Sequence, residues 1–123
     1  LLPDFIAQLA TRLGEHQLLT DPADCRAYGY DNSTLQGQPI AVALPESHQQ
    51  VASIVAACRA HGVSLITRGQ ATGTTGATVP VDGHTLILCM LRMDNIIEIN
   101  RDNRLMVVQP GVTNQAVQDA AAE

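Results

Sequence analysis

Aromatic side chains are nearly missing from this chain: of its 123 residues, one is Phe, two are Tyr and none is Trp. With only Phe5, Tyr28 and Tyr30 available, a core must be built from Val, Ile, Leu and Ala. Positive charge is also short. Seven basic residues stand against twelve acidic ones, for a formal charge of −5. Neutralising nucleic-acid phosphates takes a surplus of Lys and Arg, so that class of partner is excluded, and an anionic membrane surface with it. A small phosphate compound held by backbone amides remains compatible with this charge.

Paired cysteines are missing too. Cys25, Cys58 and Cys89 are odd in number and far apart, with no CxxC, so neither zinc nor an iron–sulfur cluster is expected. Each sits among apolar neighbours as a small reduced hydrophobe, which points to a cytoplasmic setting. No apolar run is long enough to span a bilayer, and no signal peptide, repeat or low-complexity tract is visible. His16, His48, His61 and His84 lack metal-ligand spacing and fall at helix ends or turns, where surface or capping roles are expected. No Cys/His or Ser/His/Asp grouping suits nucleophilic work, so no catalytic residue is assigned in this segment.

What remains is a chain whose apolar share of 46% suits a folded protein of one domain at most. Phe5, Ile6, Leu9 and Leu13 recur at helical spacing before Gly14. Asp21 and Pro22 open a second helix, as N-cap and first-turn residue, that runs to Tyr28-Gly29. Residues 31–39 are polar loop. Ile40 to Leu44 reads as a buried strand ended by Pro45. Ser47 with Gln50 makes a capping box for a helix striped by Val51, Ile54, Val55 and Cys58 and stopped at His61-Gly62. Val63 to Thr67 is a second strand, so a βαβ unit with parallel, right-handed connectivity is predicted. Thr85 to Met90 is a third strand. Ile96 to Asn100 and Leu105 to Gln109 form a hairpin about the polar turn Arg101-Asp102-Asn103-Arg104. Thr113 caps a last helix. The class is α+β: a βαβ unit followed by the start of an antiparallel sheet. The chain begins at Leu1 and stops at Glu123 within a helical pattern, and both ends read as boundaries within a longer protein.

The segment that carries chemistry is Arg68-Gly69-Gln70-Ala71-Thr72-Gly73-Thr74-Thr75-Gly76-Ala77. It follows a strand and holds three glycines, three threonines and no carboxylate. Consecutive N–H groups in such a loop form a concave anion site, and small residues let the backbone come close. Arg68 adds positive charge or anchors the loop. It is not a Walker loop, since no Lys-Ser/Thr pair follows, and the glycine spacing is wrong for a dinucleotide fingerprint. From the residues alone, a phosphate cradle and a plain polar loop stand side by side. Asp31 is either a loop cap or a residue facing a ligand. Asp94 and Glu98 read as solvated edge residues.

These segments together resemble the FAD-linked oxidases of the vanillyl-alcohol oxidase / p-cresol methylhydroxylase type, nearest the glycolate oxidase / D-lactate dehydrogenase branch. The resemblance rests on Pro45-Glu46-Ser47, on Val63 to Gly69, on Thr72 to Ala77, on Leu91 to Ile99, on Val107 to Val112, and on Tyr30-Asp31-Asn32-Ser33. It implies a lead-in over residues 1–39 and the N-terminal part of an FAD-binding domain over 40–123. It implies pyrophosphate contacts at Arg68, Gly69, Gln70, Ala71, Thr72 and Gly73, with Thr74, Gly76 and Ala77 close behind. Pro110, Gly111 and Val112 would lie near the ADP part, and Pro45 would help wall the adenine. Two departures stand out. The family loop is richer in glycine where this chain has Gln70 and Ala71. Thr72 occupies the position at which some members carry a flavin-linking histidine, so FAD is expected to be held without a covalent bond.

By the same resemblance the parent protein would oxidise a small 2-hydroxy acid such as D-lactate or glycolate, passing electrons to an unspecified acceptor. Substrate-facing groups would come from downstream. Two other readings remain: a half-domain that folds, and dimerises through its unfinished sheet, without retaining FAD; or the FAD-binding part of another oxidase or reductase of the superfamily. Membrane association would come only through a parent complex.

Overall fold

The computed structural model describes residues 2–122. Its elements are, in order, α1 (Leu2–Ala10), β1 (Leu18–Leu19), α2 (Pro22–Arg26), β2 (Ala41–Ala43), α3 (His48–His61), β3 (Ser64–Arg68), β4 (Thr85–Cys89), β5 (Ile96–Asn100), β6 (Leu105–Val108) and α4 (Asn114–Ala122). One sheet has the order β1-β2-β4-β3 and the other is the β5-β6 hairpin. The α+β class read from the sequence holds, parallel strands first and an antiparallel pair after.

The strands β2 and β3 are parallel but not neighbours: β4 lies between them, with Val42 and Ile66 both in register with Ile87. This placement makes β4 the central strand, and all five of its residues are buried. A strand covered on both faces is a continuous apolar run, which Leu86-Ile87-Leu88 supplies. One face of the sheet packs Phe5, Leu9 and Leu13 against Ile54, Ala57 and Cys58 of α3. The other face gathers Cys25, Val42, Leu44, Ile87 and Cys89. The lead-in thus supplies part of the core rather than a detached arm.

Several boundaries moved. α1 stops at Ala10, and Leu13 reaches the core from the turn beyond it. α2 ends at Arg26, and β1 was missed because a two-residue strand has no period to detect. The strand expected through Gln109 ends at Val108, and the hairpin is bulged between Ile96 and Glu98. The caps are as read. Asp21 accepts from the Ala23 N–H, Thr113 from the Ala116 N–H, and Gly62 closes α3 at φ 64°. The capping box is displaced by one residue: Ser47 takes the Gln50 N–H, but the Gln50 side chain accepts from the N–H of Glu46 rather than of Ser47.

That displacement frees Gln50 for a second job. Its amide pairs with the amide of Gln17 through two bonds, 2.9 and 3.0 Å. Gln17 in turn accepts the Gly14 N–H at 2.7 Å and donates to the Leu44 carbonyl. This amide ring links the turn after α1, the end of β2 and the first turn of α3, and satisfies polar groups that burial would otherwise leave unpaired.

Candidate functional site

Because β2, β4 and β3 run parallel, their carboxyl ends lie together. Chain leaves those ends at Leu44-Pro45, at Met90 and at Gly69. Ligands in open parallel sheets bind beyond the carboxyl ends of the strands. The connection from β3 to β4 over residues 69–84 has neither helix nor strand. Connections of that length without secondary structure of their own are uncommon and are usually functional.

The loop and the Pro-Gly-Val turn, far apart in sequence, meet here. Thr67, Arg68, Gly69, Met90 and Pro110 line one open cleft of about 300 Å³. A larger cleft of about 740 Å³ lies between residues 26–30 and 36–38 of the lead-in and contains none of the glycine loop. The smaller one is the better candidate, because the strand ends and the root of the glycine loop at Gly69 border it.

The glycines of the loop divide into two kinds. Gly76 is required by the fold: its φ is 75°, and a Cβ there would come within 2.5 Å of the Leu35 side chain. Gly111 is also required by packing, since a Cβ would meet the carbonyls of Met90, Leu91 and Met93 at 2.5–2.8 Å. Gly69 and Gly73 are different. Neither has a positive φ, and a Cβ on either would meet nothing within 4 Å. The protein's own structure gives no reason for glycine at these two positions, whereas close approach of a ligand to the backbone does. Moreover, no backbone N–H from Gly69 to Thr75 has a hydrogen-bond partner among the described residues.

The segment Ala27–Ser33 straps this loop from one side. Asn32 donates its backbone N–H to the Gly73 carbonyl at 3.1 Å and its side-chain amide to the Thr72 carbonyl at 3.2 Å. A trans peptide holds C=O and the following N–H on opposite sides, and no peptide here is cis. The N–H groups of Gly73 and Thr74 therefore face away from the strap, side by side. The hydroxyl-bearing Thr72, Thr74 and Thr75 are exposed, as are Gln70 and Ala77.

Asp31 is a loop cap, one of the two roles its sequence position allows, and it also reaches across to the glycine loop. One carboxylate oxygen accepts the Ser33 N–H at 2.7 Å; the other accepts the Gly76 N–H at 3.0 Å. Hydrogen bonds from Ser33, together with the Gly76 N–H and the charge of Arg68, hold this carboxyl below the usual carboxylate range.

Arg68 proves to be an anchor. It belongs to β3, and its guanidinium donates to the carbonyls of Tyr30 (2.6 Å), Ala27 (3.3 Å) and Tyr28 (3.4 Å) while lying 5.6 Å from the centre of the Tyr28 ring. Its donors serve the end of α2 and the strap rather than the open side of the loop. Ala71 adopts φ 54°, a left-handed conformation that favours glycine. The Cβ that Ala71 carries is thus a strain on the loop. Pro45 is fully buried, so it shapes the strand end from behind and offers no surface. Gly111 donates to the Met93 carbonyl and Val112 to that of Gln109, which seats the turn on the segment after β4. Among the described residues no cluster of His, Cys, Asp or Glu could hold a metal ion. The sequence offered one signal for the strap, the run Tyr30-Asp31-Asn32-Ser33, but nothing in it reveals contacts spanning 40 residues and more.

Known proteins share both this sequence pattern and this fold. A family model described as an FAD binding domain matches residues 39–123. The chain is 38% identical over 90 residues to glycolate oxidase subunit GlcD of Escherichia coli K12, covering 73% of this chain and 18% of that one. It is 34% identical over 122 residues to D-2-hydroxyglutarate dehydrogenase of Stutzerimonas stutzeri, covering 98% and 26%. Among solved structures, 4-ethylphenol oxidase from Gulosibacter chungangensis superposes with a TM-score of 0.86 at 25% identity, over 98% of this chain and 24% of that one. p-Cresol methylhydroxylase superposes with a TM-score of 0.85 at 23% identity, with the same coverage. The chain spans about a fifth to a quarter of the length of the curated relatives it matches.

Proposed function

The chain belongs to the FAD binding domain family of FAD-linked oxidoreductases, and from that premise we propose that residues 68–77 cradle the pyrophosphate of non-covalently held FAD in a protein that oxidises a small 2-hydroxy acid. The observation that carries the cradle is the pair Gly69 and Gly73, glycines with open space where a side chain would stand and with free N–H groups around them. That geometry fits an anion approaching the backbone, and the net charge of −5 is no obstacle because neutral amides do the binding.

In this reading the Gly73 and Thr74 N–H groups meet phosphate oxygens, and the exposed threonine hydroxyls add donors. Gln70, Ala71 and Thr72 wrap the same group, with Gly76 and Ala77 behind it. Pro110 borders the cleft beside Gly69, with Gly111 and Val112 holding that turn in place for the ADP part; Pro45 backs the strand end. Arg68 fixes the base of the loop. Thr72 offers a hydroxyl, which cannot form the bond a histidine forms with flavin. FAD supplies the two-electron redox chemistry when bound, and the protein supplies orientation and exclusion of competing reactions. The substrate class is supported by relatives named for glycolate, D-2-hydroxyglutarate and D-lactate.

We also place the protein in the cytoplasm, reaching a membrane only through a larger complex. The support is the three free, buried cysteines.

A second reading, a folded half-domain that retains no FAD by itself and pairs with a second copy, is favoured by one observation. The β5-β6 hairpin leaves Ile97, Ile99, Leu105, Val107 and Val108 exposed, and α4 buries none of its residues. An uncovered apolar hairpin of this kind invites association. Flavin retention separates the two readings. The chain and the longer protein that carries it are each mixed with FAD, desalted and read by visible absorption. Bound flavin in both supports an autonomous cradle; flavin in the longer protein alone supports the half-domain; flavin in neither overturns the assignment.

A further inference from the structure

We propose that Asp31 and Asn32 are positioning residues for the anion-binding loop: they hold its carbonyls and the Gly76 N–H from behind, so that the Gly73 and Thr74 N–H groups are presented together to the cofactor's pyrophosphate. This rests on the FAD reading above and adds to it residues outside the glycine loop.

The loop has no internal support. Residues 69–78 belong to no regular element, and the N–H groups from Gly69 to Thr75 are unpartnered. A free chain with two glycines unconstrained by packing would sample many conformations, and ordering it at the moment of binding would reduce affinity. The strap supplies the loop with three fixed points: the Thr72 carbonyl, the Gly73 carbonyl and the Gly76 N–H. They bracket Gly73-Thr74-Thr75. Peptide planarity converts the two carbonyl contacts into the direction of two neighbouring N–H groups.

The strap is itself held at several places. Arg68, at the root of the loop, binds the carbonyls of Ala27, Tyr28 and Tyr30. Asp31 closes onto the Ser33 N–H. Leu35 lies against Gly76 so closely that no Cβ fits there, and Gly37 lies as closely against the Pro80 carbonyl. The lead-in therefore grips the loop at both its root and its exit. Asp31 has a further consequence: a carboxylate occupying the Gly76 N–H withdraws that donor from the anion, leaving the Gly73–Thr74 pair as the presented one.

The test uses Asp31→Ala, Asp31→Asn and Asn32→Ala beside Gly73→Val, with two readouts. The first is amide hydrogen exchange of residues 72–76 without FAD; the second is FAD affinity by flavin fluorescence. We expect Asp31→Ala to speed exchange of the Gly76 amide, whose N–H it releases, and both Asp31→Ala and Asn32→Ala to weaken FAD by about tenfold or more, through loss of the charge-assisted hydrogen bond at Asp31 or of the neutral side-chain amide bond at Asn32, and of preorganisation. Asp31→Asn keeps an acceptor and should recover most of both. Unchanged Gly76 exchange in Asp31→Ala overturns the positioning role, whether or not FAD binds. Unchanged FAD affinity in the two alanine variants, with binding abolished by Gly73→Val, overturns it while leaving the cradle intact. Unchanged affinity in Gly73→Val overturns the cradle itself.

Discussion

Gly73 separates a glycine kept for a ligand from one kept for the fold. Its Cβ direction is open to 4 Å and its φ is not positive, so Gly73→Ala introduces neither clash nor strain. Such a change stabilises through the unfolded chain by about 0.4–1 kcal/mol, which for a domain of this size raises Tm by roughly 1–5 °C. Binding moves the other way. A branched side chain in Gly73→Val stands where the phosphate must approach, and loss of one or two charge-assisted hydrogen bonds at about 1.5–3 kcal/mol each gives an affinity loss of roughly 10- to 10,000-fold. Gly76→Ala is the contrasting control. With φ at 75° and Leu35 2.5 Å from the new carbon, it should lower stability by about 1–3 kcal/mol. Thermal or urea unfolding of the FAD-free proteins gives the first quantity and flavin fluorescence titration the second. Gly73→Val binding FAD like the parent sequence, or Gly73→Ala unfolding several degrees earlier, refutes the reasoning.

Four further outcomes follow from the same contacts. Arg68→Ala should destabilise by about 1–3 kcal/mol, measured by urea unfolding, and Arg68→Lys should not restore it, because one ammonium cannot reproduce a fork shared among three carbonyls. Gln17→Ala and Gln50→Ala should each lose about 1–3 kcal/mol, and a double-mutant cycle should show coupling of about 1–2 kcal/mol, since removing either amide orphans the other. Asp31 and Asp82 both have carboxyls held below their usual value, Asp82 chiefly by the Thr85 hydroxyl and the His84 N–H. A depressed folded-state pKa stabilises above the unfolded value, about 3.9, and that stability is lost as pH falls through the folded value; Tm should therefore drop steeply below about pH 4, and Asp82→Asn should flatten the slope. Burial pushes the Cys58 thiol up to about 11, so a thiol reagent at pH 8 should label it only after denaturant is added.

Much of the fold was legible because its signals are local. Asp21-Pro22, Ser47, Gly62 and Thr113 each mark a helix end through a contact within a few residues, and the stripe of α3 and the polar turn of the hairpin are equally short-range. What escaped the sequence is non-local. The insertion of β4 between β2 and β3 depends on burial of a strand on both faces, which Leu86-Ile87-Leu88 hints at without naming its neighbours. The Gln17–Gln50 ring joins residues whose individual patterns suggest a turn and a cap. At the site, the glycine loop stood out by composition, yet composition could not divide Gly73 from Gly76; backbone angle and free space did. For Arg68 the residues left a charge near the loop and a loop anchor side by side; the three lead-in carbonyls that take its donors are far off in sequence and could not be read from it.

The most direct test of the central claim, that this chain presents a backbone cradle to FAD pyrophosphate, is an amide-resolved NMR titration of the chain with FAD, which detects even weak binding. The largest shifts are expected on Gly69, Gly73 and Thr74, with smaller ones at Asn32 and Gly111. Largest shifts in the cleft between residues 26–30 and 36–38, or no shifts in the loop at millimolar FAD, would contradict it.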